Sequence, residues 1–411
     1  MVTYFNHFCF IINTKFKMIK SMKNTGLFIF FSLFYLTTQA TIRTVNNATV
    51  SAAQFTNLQD AINASLPNDT IYLHASPIIY PEVTVVKPIV IFGEGSLPDQ
   101  QFQYRTQIER LNLYFSADYA TNAGGSKIYG CKIDQMYLGT GNTSCSCVAS
   151  GYATASIGVS DILIQRNQIG YLYFSNQTIN PSQWGHGVHS NVSVINNIIN
   201  IITAQCINSC LFANNIIRDF SMFQTEGLSH QGNTISNNTI LGTMINVHGS
   251  QVVNNLISPI STFGSSTYIT LSGQGNAYIR NVFTSSISQC YDCTSTFSEN
   301  LGNVPSQVIQ MPFDYMGYMG EIWNTSYQFL GPFPNFHIIS GYQGINYGTD
   351  NTDVGIYGGA FPWVDANSEN ERFRYFAPPS QLPVLKEFNV LDPVVSPSGQ
   401  MNIQFKAKSQ N

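Results

Sequence analysis

The chain has 411 residues, of which 44% are hydrophobic and only 10% are charged, well below the quarter or so that is usual for a soluble domain. This length suits either two or three domains or one long repeat domain, and the hydrophobic content allows a sizeable core. The 18 basic and 22 acidic residues give a net charge of −4 and form no basic patch, so nucleic acid and an anionic membrane surface are poor partners.

The first 40 residues have the pattern of a secretion signal. Lys23 precedes an apolar run from Leu27 to Leu36, and Thr38–Ala40 follows as a small-residue cleavage site. The run is too short to span a bilayer, so we expect no transmembrane segment and a secreted, extracellular or cell-surface protein. Met22 or Met18 is the expected start of translation. Removal of the signal would take away four lysines and no acid, leaving 14 basic and 22 acidic residues and a net charge of −8.

Seven cysteines would remain after this cleavage. They are Cys131, Cys145, Cys147, Cys206, Cys210, Cys290 and Cys293. An odd count argues against a fully paired disulfide framework. Cys290 and Cys293 have the spacing of half a zinc site, but no second pair has a suitable spacing. We therefore expect small buried residues, with or without one disulfide.

The N-terminal part of the mature chain has the pattern of a short helix followed by strands. Residues 54–66 show helical periodicity. Their apolar face comprises Phe55, Leu58, Ile62 and Leu66. Short β-type runs follow, separated by turn residues, at 70–73, 83–86 and 89–92. This order is typical of the capped first coil of a β-helix, in which the helix covers the open end of the stack.

The centre of the chain contains a repeat in which a polar residue and an Asn are flanked by aliphatic or β-branched residues. The copies carry their second Asn at Asn167, Asn197, Asn215, Asn238, Asn255 and Asn281. The spacing averages about 23 residues, a plausible coil length for a three-sided parallel β-helix. Asn tolerates the left-handed bend between strands, and stacked Asn side chains would hydrogen-bond as a ladder along the axis. Arg166 and Arg280 replace the first Asn of their copies and are expected at the solvent-facing edge of this ladder.

The C-terminal part departs from the repeat. Residues 305–345 are interpreted as a long excursion or as the last irregular coils. Met401, Ile403 and Phe405 alternate with polar residues in a half-buried strand whose partner lies between residues 382 and 395, and we expect these three to dock on the helix body. The expected organisation is a signal peptide at 1–40, the β-helix with its cap at 41–360, a linker at 361–381 and a hairpin unit at 382–411.

Three features resemble secreted bacterial right-handed parallel β-helix proteins of the pectin-lyase-like superfamily. They are the first coil (58–62, 69–73 and 87–89), the Asn repeat, and the segment 350–359, which is similar to the sequence that often closes the last coil. Together they span most of residues 50–360. The resemblance implies an all-β, right-handed parallel β-helix. It implies no single activity, because this superfamily hosts lyases, hydrolases, epimerases, adhesins and proteins of no known activity.

The sequence contains no convincing catalytic set. Lyases need a base with Arg, Lys or Ca²⁺, and hydrolases need paired carboxylates. Between residues 135 and 289 the acids are Asp161, Asp219 and Glu226. The candidates for a general base or a weak metal site are His189, Glu226, His230 and His248, which the repeat register places on one side of the helix. The alternative is polar groups scattered on turns.

Two further sets of residues are candidate binding groups. Asp350 and Asp353 could bind Ca²⁺, although two carboxylates more often form a capped turn, so no resident cofactor is expected. Exposed aromatic residues near the groove side could stack on sugar rings, whereas buried ones would belong to the core. These aromatic candidates are Tyr171, Tyr173, Phe223 and Tyr268.

The function expected from the sequence is a monomeric carbohydrate-binding or surface-structural β-helix protein without catalysis. Its partner would be a polysaccharide or a cell-surface glycan. The alternative is a polysaccharide-active enzyme, either a lyase or a glycoside hydrolase. Convergence of the histidine candidates and Glu226 in one open groove would favour the enzyme, and separate or buried positions would favour binding or structure.

Overall fold

The computed structural model of the chain describes most of the repeat region. The described residues are 41–49, 52–95, 104–114, 121–139, 158–174, 188–205, 207–223, 230–242, 244–257, 269–283, 287–291, 294–302, 338, 340–363, 384–390 and 403–408. The chain divides into two compact units, Met1–Thr41 and Ile42–Asn411, and the elements below belong to the second.

The secondary structure consists of short strands and one short helix. The first elements are β1 (Ile42–Val45), α1 (Leu58–Ala64), β2 (Thr70–Leu73), β3 (Val83–Val85), β4 (Val90–Gly93), β5 (Gln107–Leu113), β6 (Lys127–Tyr129), β7 (Lys132–Leu138), β8 (Leu163–Gln165) and β9 (Gln168–Phe174). The middle elements are β10 (His189–Ser190), β11 (Ser193–Ile195), β12 (Ile198–Gln205), β13 (Ile207–Asn208), β14 (Leu211–Ala213), β15 (Ile216–Phe223), β16 (Asn233–Ser236), β17 (Thr239–Ile240) and β18 (Met244–Ile245). The last elements are β19 (Ser250–Val253), β20 (Leu256–Ile257), β21 (Ile269–Ser272), β22 (Ala277–Ile279), β23 (Val282–Phe283), β24 (Ile287–Tyr291), β25 (Thr296–Ser298), β26 (Val384–Val390) and β27 (Ile403–Lys408).

Two long sheets run the length of the described repeat region. Sheet A has the order β1-β2-β4-β6-β8-β11-β14-β16-β19-β22-β25, and sheet B contains β3, β5, β7, β9, β12, β15, β17, β20 and β23, extended by β18, β21 and β24. Neighbouring strands within these sheets are parallel, because each coil adds one strand to each sheet. Parallel crossovers of this kind are right-handed almost without exception. The predicted all-β fold, a right-handed parallel β-helix with a short N-terminal helix and a C-terminal hairpin, is confirmed.

The core is built from columns of apolar residues that repeat at the same register on successive coils. One column of sheet A comprises Ile128, Ile164, Val194, Phe212, Ile235, Val252 and Tyr278. All of these side chains are buried. Since each large apolar side chain contributes about 1.5–3 kcal/mol on burial, this stacking is the main favourable term of the fold.

The N-terminal coil differs in one respect from the sequence expectation. Strand β1 precedes α1 and pairs in parallel with β2, so the first strand lies upstream of the helix and not after it. Asn57 caps α1 by accepting a hydrogen bond from the main-chain N of Asp60, and the helix buries Leu58 and Ile62. The helix ends at Ala64, so Leu66 is exposed and the prediction that it lies on the buried face is wrong.

The second Asn of each repeat forms a continuous hydrogen-bonded ladder inside the helix. Asn197 donates from its main-chain N and from Nδ2 to Oδ1 of Asn215, at 2.9 and 3.0 Å. Asn215 makes the same pair of bonds to Asn238. The ladder comprises Asn167, Asn197, Asn215, Asn238, Asn255, Asn281 and Asn300. Each member thereby satisfies polar groups that would otherwise be unpaired in the interior.

The first residue of each repeat pair makes the bend, and it faces outward. Its φ is positive in each copy, as at Asn196, Asn214, Asn237 and Asn254. Several of these outward side chains hold residues 340–363, a stretch that we call the strap. For example, Asn196 Nδ2 donates to Phe361 O at 2.7 Å, and Asn254 exchanges two hydrogen bonds with Thr349.

The arginines that replace the first Asn lie at the edge of the ladder, as predicted, and are partly exposed to solvent. Arg280 donates to Glu299 at 2.6 Å and to Gly348 O of the strap at 3.1 Å. Burial lowers the pKa of Arg166, whose side chain is only partly accessible. Arg280 therefore also holds the strap, beside the ladder.

The hairpin pairs β26 with β27 in antiparallel register. Met401, the side chains of Ile403 and Phe405, and most of the excursion at 305–345 lie outside the described residues, so their docking stays a prediction.

Phe361 and Trp363, at the start of the expected linker, belong to the strap, and the Trp363 indole N–H donates to Asn214 O. Within the described ranges, none of the helices has the length and apolar character needed to cross a bilayer.

Candidate functional site

A group of partly accessible aromatic residues lies on the outer side of sheet B. Tyr137 and Tyr173 are register partners on β7 and β9, and their rings stack at 4.8 Å between centroids. The ring of Tyr171 lies parallel to that of Tyr173, at 5.9 Å and an interplanar angle of 3°. All three side chains are half-buried. The strands therefore present a strip of parallel rings that crosses two coils.

Polar groups border this strip on the side of the preceding coil. The guanidinium of Arg110 lies 5.5 Å from the centroid of the Tyr137 ring, and its Nε donates to Gln135 Oε1 at 2.9 Å. Glu82 accepts hydrogen bonds from Arg110 at 3.3 Å and from Asn112 at 2.8 Å. We call Arg110, Gln135, Tyr137, Tyr171 and Tyr173 together the tyrosine face.

The hydroxyl group of Tyr173 is neutral over the physiological pH range. Burial raises the pKa of Tyr173, and the neighbouring Tyr137 and Tyr171 raise it further. Burial also raises the pKa of the adjacent Tyr114 to about 12, with a smaller contribution from Tyr137. These phenols therefore act as hydrogen-bond donors and acceptors and carry no charge.

The histidines proposed as catalytic candidates lie at another corner, where two of them are buried. His189 is 1% exposed, and its ring packs edge-on against Phe174 at 5.8 Å. His230 is 2% exposed, and its Nδ1 accepts a hydrogen bond from the main-chain N of Ile207 at 3.3 Å. Since Ile207 lies on the coil between them, the two histidines are not in adjacent coils.

The structure does bring His230 and His248 together. Their rings stack at 6.1 Å with an interplanar angle of 11°, and His248 is partly accessible. His248 Nδ1 accepts a hydrogen bond from the main-chain N of Gln274 at 3.2 Å, and burial lowers the pKa of its ring. Both rings therefore serve as acceptors for main-chain amides, which requires Nδ1 to be unprotonated.

The other candidate residues from the sequence analysis do not add to the tyrosine face or to the group of histidines. Glu226, Tyr268 and the side chain of Phe223 lie outside the described residues. Asp350 accepts hydrogen bonds from the main-chain N and the hydroxyl of Thr352, and Asp353 accepts one from the main-chain N of Asn346. The two carboxylates thus close turns of the strap. In the described part of the chain there is no group of three or more His, Cys, Asp or Glu side chains that could hold a metal ion.

The two cysteines that the structure describes are buried thiols inside the helix. Burial raises the pKa of both Cys131 and Cys210 to about 12. Cys131 occupies the ladder position of its coil, where its main-chain N donates to Asn167 Oδ1 at 2.9 Å. The other mature cysteines lie outside the residues whose side chains are described.

A second polar cluster lies at the N-terminal coils and was not singled out from the sequence. His74 Nδ1 lies 2.7 Å from Glu94 Oε1, and both side chains are partly exposed. Burial opposes ionisation of Glu94, but hydrogen bonds from His74, the main-chain N of Ala75 and Tyr72 outweigh it, so the pKa of Glu94 lies below its ordinary value. The pair has the geometry of a histidine oriented by a carboxylate.

Sequence reasoning missed Arg110, Gln135 and Tyr137 because it followed the Asn repeat. The coil that contains Tyr137 has Cys131 at the ladder position and therefore does not show the Asn signal. Aligning residues 132–138 with 168–174 would have found it, since both segments carry Tyr at the same outward position.

Comparison with known proteins adds little to this description of the candidate site. No protein-family model matches the chain, and no curated protein matches it. Solved structures of similar fold include a pectin methylesterase from Aspergillus niger, at 12% identity and a TM-score of 0.26, over 71% of this chain and 99% of that one. Another is a pectin methylesterase mutant in complex with a hexasaccharide, at 9% identity and a TM-score of 0.23, over 72% of this chain and 99% of that one. Similarity at this level carries no argument about what this chain does.

Proposed function

We propose that this chain is a non-catalytic polysaccharide-binding protein whose ligand lies along the tyrosine face. The observation that carries the proposal is the stack of Tyr137, Tyr173 and Tyr171 beside Arg110 and Gln135. An aromatic strip offers apolar contact to the C–H groups of a sugar, and the neighbouring amide, guanidinium and phenol groups can bond its hydroxyls. An extended polymer suits a surface that repeats every coil, about 4.8 Å apart.

The charges of the face favour an uncharged glycan. Arg110 is paired with Glu82, so this pair adds no net charge to the face. The chain as a whole is acidic, with a net charge of −4, and would repel a polyanion. A neutral polysaccharide is therefore the ligand class that this surface accommodates best.

The positions of the histidine candidates support binding over catalysis by those residues. His189 and His230 are buried and contact core residues or main-chain amides, so a polymer on the surface does not reach them. A general base must come within hydrogen-bond reach of the proton it removes. His248 is partly accessible, but its Nδ1 already accepts a hydrogen bond from the main-chain N of Gln274.

The proposal is tested with a panel of soluble neutral and acidic polysaccharides by affinity electrophoresis and calorimetry. We expect a neutral member to bind, and Tyr171→Ala and Tyr173→Ala each to weaken its affinity about tenfold, which corresponds to about 1.4 kcal/mol. Tyr104→Ala is the matched control, because Tyr104 is exposed and is not part of the tyrosine face. Equal affinities for the wild type and both face variants would exclude the tyrosine face as the binding surface.

The alternative function is a polysaccharide-active enzyme, and one observation favours it. The pair formed by His74 and Glu94 is accessible and oriented as a general base would be. Release of new chain ends from any polysaccharide of the panel, abolished by His74→Gln and retained in Tyr171→Ala, would establish the enzyme instead of the binding protein.

A further inference from the structure

A row of residues lies beside the ladder, on the outer side of sheet B. Its members are polar in the N-terminal coils and mostly apolar further along the helix. We call it the outer row. In coil order its members are Gln107, Lys132, Gln168, Ile198, Ile216, Thr239, Leu256 and Val282. All are buried. Two of the apolar members lie under the strap, where Gly355 approaches Leu256 and Gly344 approaches Val282. The three members on the N-terminal coils are polar, so a different environment must satisfy them.

Lys132 is the member of the outer row whose burial is hardest to explain. Its side chain is 2% exposed. Among the described residues, none accepts a hydrogen bond from its Nζ. Asp134 Oδ1 is 3.9 Å away, but both oxygens of that carboxylate accept hydrogen bonds from Gln107 Nε2, at 3.2 and 3.1 Å. An ammonium group that is buried and makes no hydrogen bond is strongly unfavourable.

A second cation lies near Lys132, and the Asp134 carboxylate is close to both. Burial, with a smaller contribution from the positive charge of Arg105, lowers the pKa of Lys132 to about 8, and the carboxylate of Asp134 partly opposes this shift. Burial likewise lowers the pKa of Arg105, and Asp134 opposes that shift.

We propose that Lys132, with the neighbouring Arg105, forms a binding site for a small oxyanion of the carboxylate or sulfate type. Such an anion would accept the hydrogen bond that the Lys132 ammonium lacks. The partly exposed Asp134 and Arg105 mark the side from which the anion enters. The site is separate from the tyrosine face in its chemistry, because it selects for negative charge and the tyrosine face does not.

The test measures the thermal unfolding midpoint of the full chain at pH 7, with sodium acetate or sodium sulfate titrated against sodium chloride at constant ionic strength. A ligand that binds only the folded state raises the midpoint in a saturable way. We expect saturable stabilisation of the wild type by at least one anion, its loss in Lys132→Met and its retention in Lys127→Met, a matched change at an exposed lysine. The anion that acts distinguishes a carboxylate site from a sulfate site.

Two outcomes would overturn the proposal. One is no saturable stabilisation of the wild type by either anion, and the other is the same stabilisation in Lys132→Met, which is what a general salt effect produces. Calorimetry on the wild type alone gives a second test that does not depend on folding of the variant. Because Lys132 loses its proton near pH 8, affinity for the anion should fall at least fivefold between pH 7 and pH 9.5. Unchanged affinity would contradict the proposal.

Discussion

Asn214 and Asn215 are adjacent in the chain, yet their side chains bond on opposite sides of the same corner. Asn214 Nδ2 donates outward to the main-chain oxygens of Ile356 and Gly358, at 2.9 and 2.6 Å, whereas Asn215 Nδ2 donates inward to Asn238 Oδ1 at 3.0 Å. The left-handed φ of 54° at Asn214 makes the bend that separates them. One dipeptide thus closes the coil inside and holds the strap outside.

Asn215, the residue of the pair that bonds inside the coil, should contribute to the stability of the fold. Asn215→Ala removes an acceptor for Asn197 and leaves main-chain groups of the corner unpaired in the interior. We expect a loss of about 1–3 kcal/mol in the free energy of unfolding, measured by urea denaturation. Gln251→Ala, at an exposed strand position, is the control and should change stability little. An unfolding midpoint for Asn215→Ala equal to that of the wild type would contradict a stabilising ladder.

Asn214, the residue of the pair that bonds outward, should hold the strap in place. Asn214→Gly keeps the left-handed bend but removes two hydrogen bonds, so we expect faster proteolysis within residues 340–363 and greater solvent exposure of Trp363 by fluorescence. Asn214→Ala should lose about 1 kcal/mol more, because Ala is strained where φ is positive. Cleavage of the strap at the wild-type rate in Asn214→Gly would show that other contacts hold it.

Much of the fold could be predicted from the sequence, because the Asn repeat has a physical cause that operates in every coil. The bend needs a residue that tolerates positive φ, and the interior needs a side chain that donates and accepts. The pattern placed the second Asn in the ladder but did not show that the first residue of each pair makes the left-handed bend. Asn300 was missed because Glu299 precedes it, although Glu299 has the same positive φ as the first residue of the other copies.

The candidate sites were less predictable, because they depend on which residues of different coils become neighbours. His74 and Glu94 lie 20 residues apart, and Tyr137 and Tyr173 lie 36 residues apart across loops of unequal length. The register that joins them is set by the buried columns and not by any local motif. The burial of His189 and His230 could likewise not be predicted from the sequence, because a histidine at a corner can face either the core or the solvent.

Acid should weaken the histidine corner. Burial lowers the pKa of His248 in the folded chain below its ordinary value, so the folded state resists protonation more than the unfolded state does. The stability that neutral His248 contributes is therefore present above about pH 6.5 and is lost as the pH falls through its folded pKa. We expect the free energy of unfolding to fall over this range, by about 1 kcal/mol for the lost hydrogen bond to Gln274. In His248→Gln the fall should be smaller. Identical pH profiles for the two proteins would assign the acid sensitivity to other groups.

Lys132 should shape the stability of the protein at alkaline pH. The pKa of Lys132 is about 8 in the folded chain against an ordinary value of 10.5, so between these values the unfolded chain binds more protons and stability rises with pH. Below pH 8 both states hold the proton, and the folded state carries the full cost of a buried ammonium. With no acetate or sulfate added, Lys132→Met should therefore be more stable than the wild type at pH 7, by on the order of 1–3 kcal/mol. This advantage should shrink as the pH rises from 8 to 10, while the exposed Lys127→Met keeps a constant difference. Urea unfolding at pH 7, 8.5 and 10 measures the difference in free energy of unfolding between Lys132→Met and the wild type. A difference that does not change with pH would show that the amine is not charged in the folded protein at pH 7.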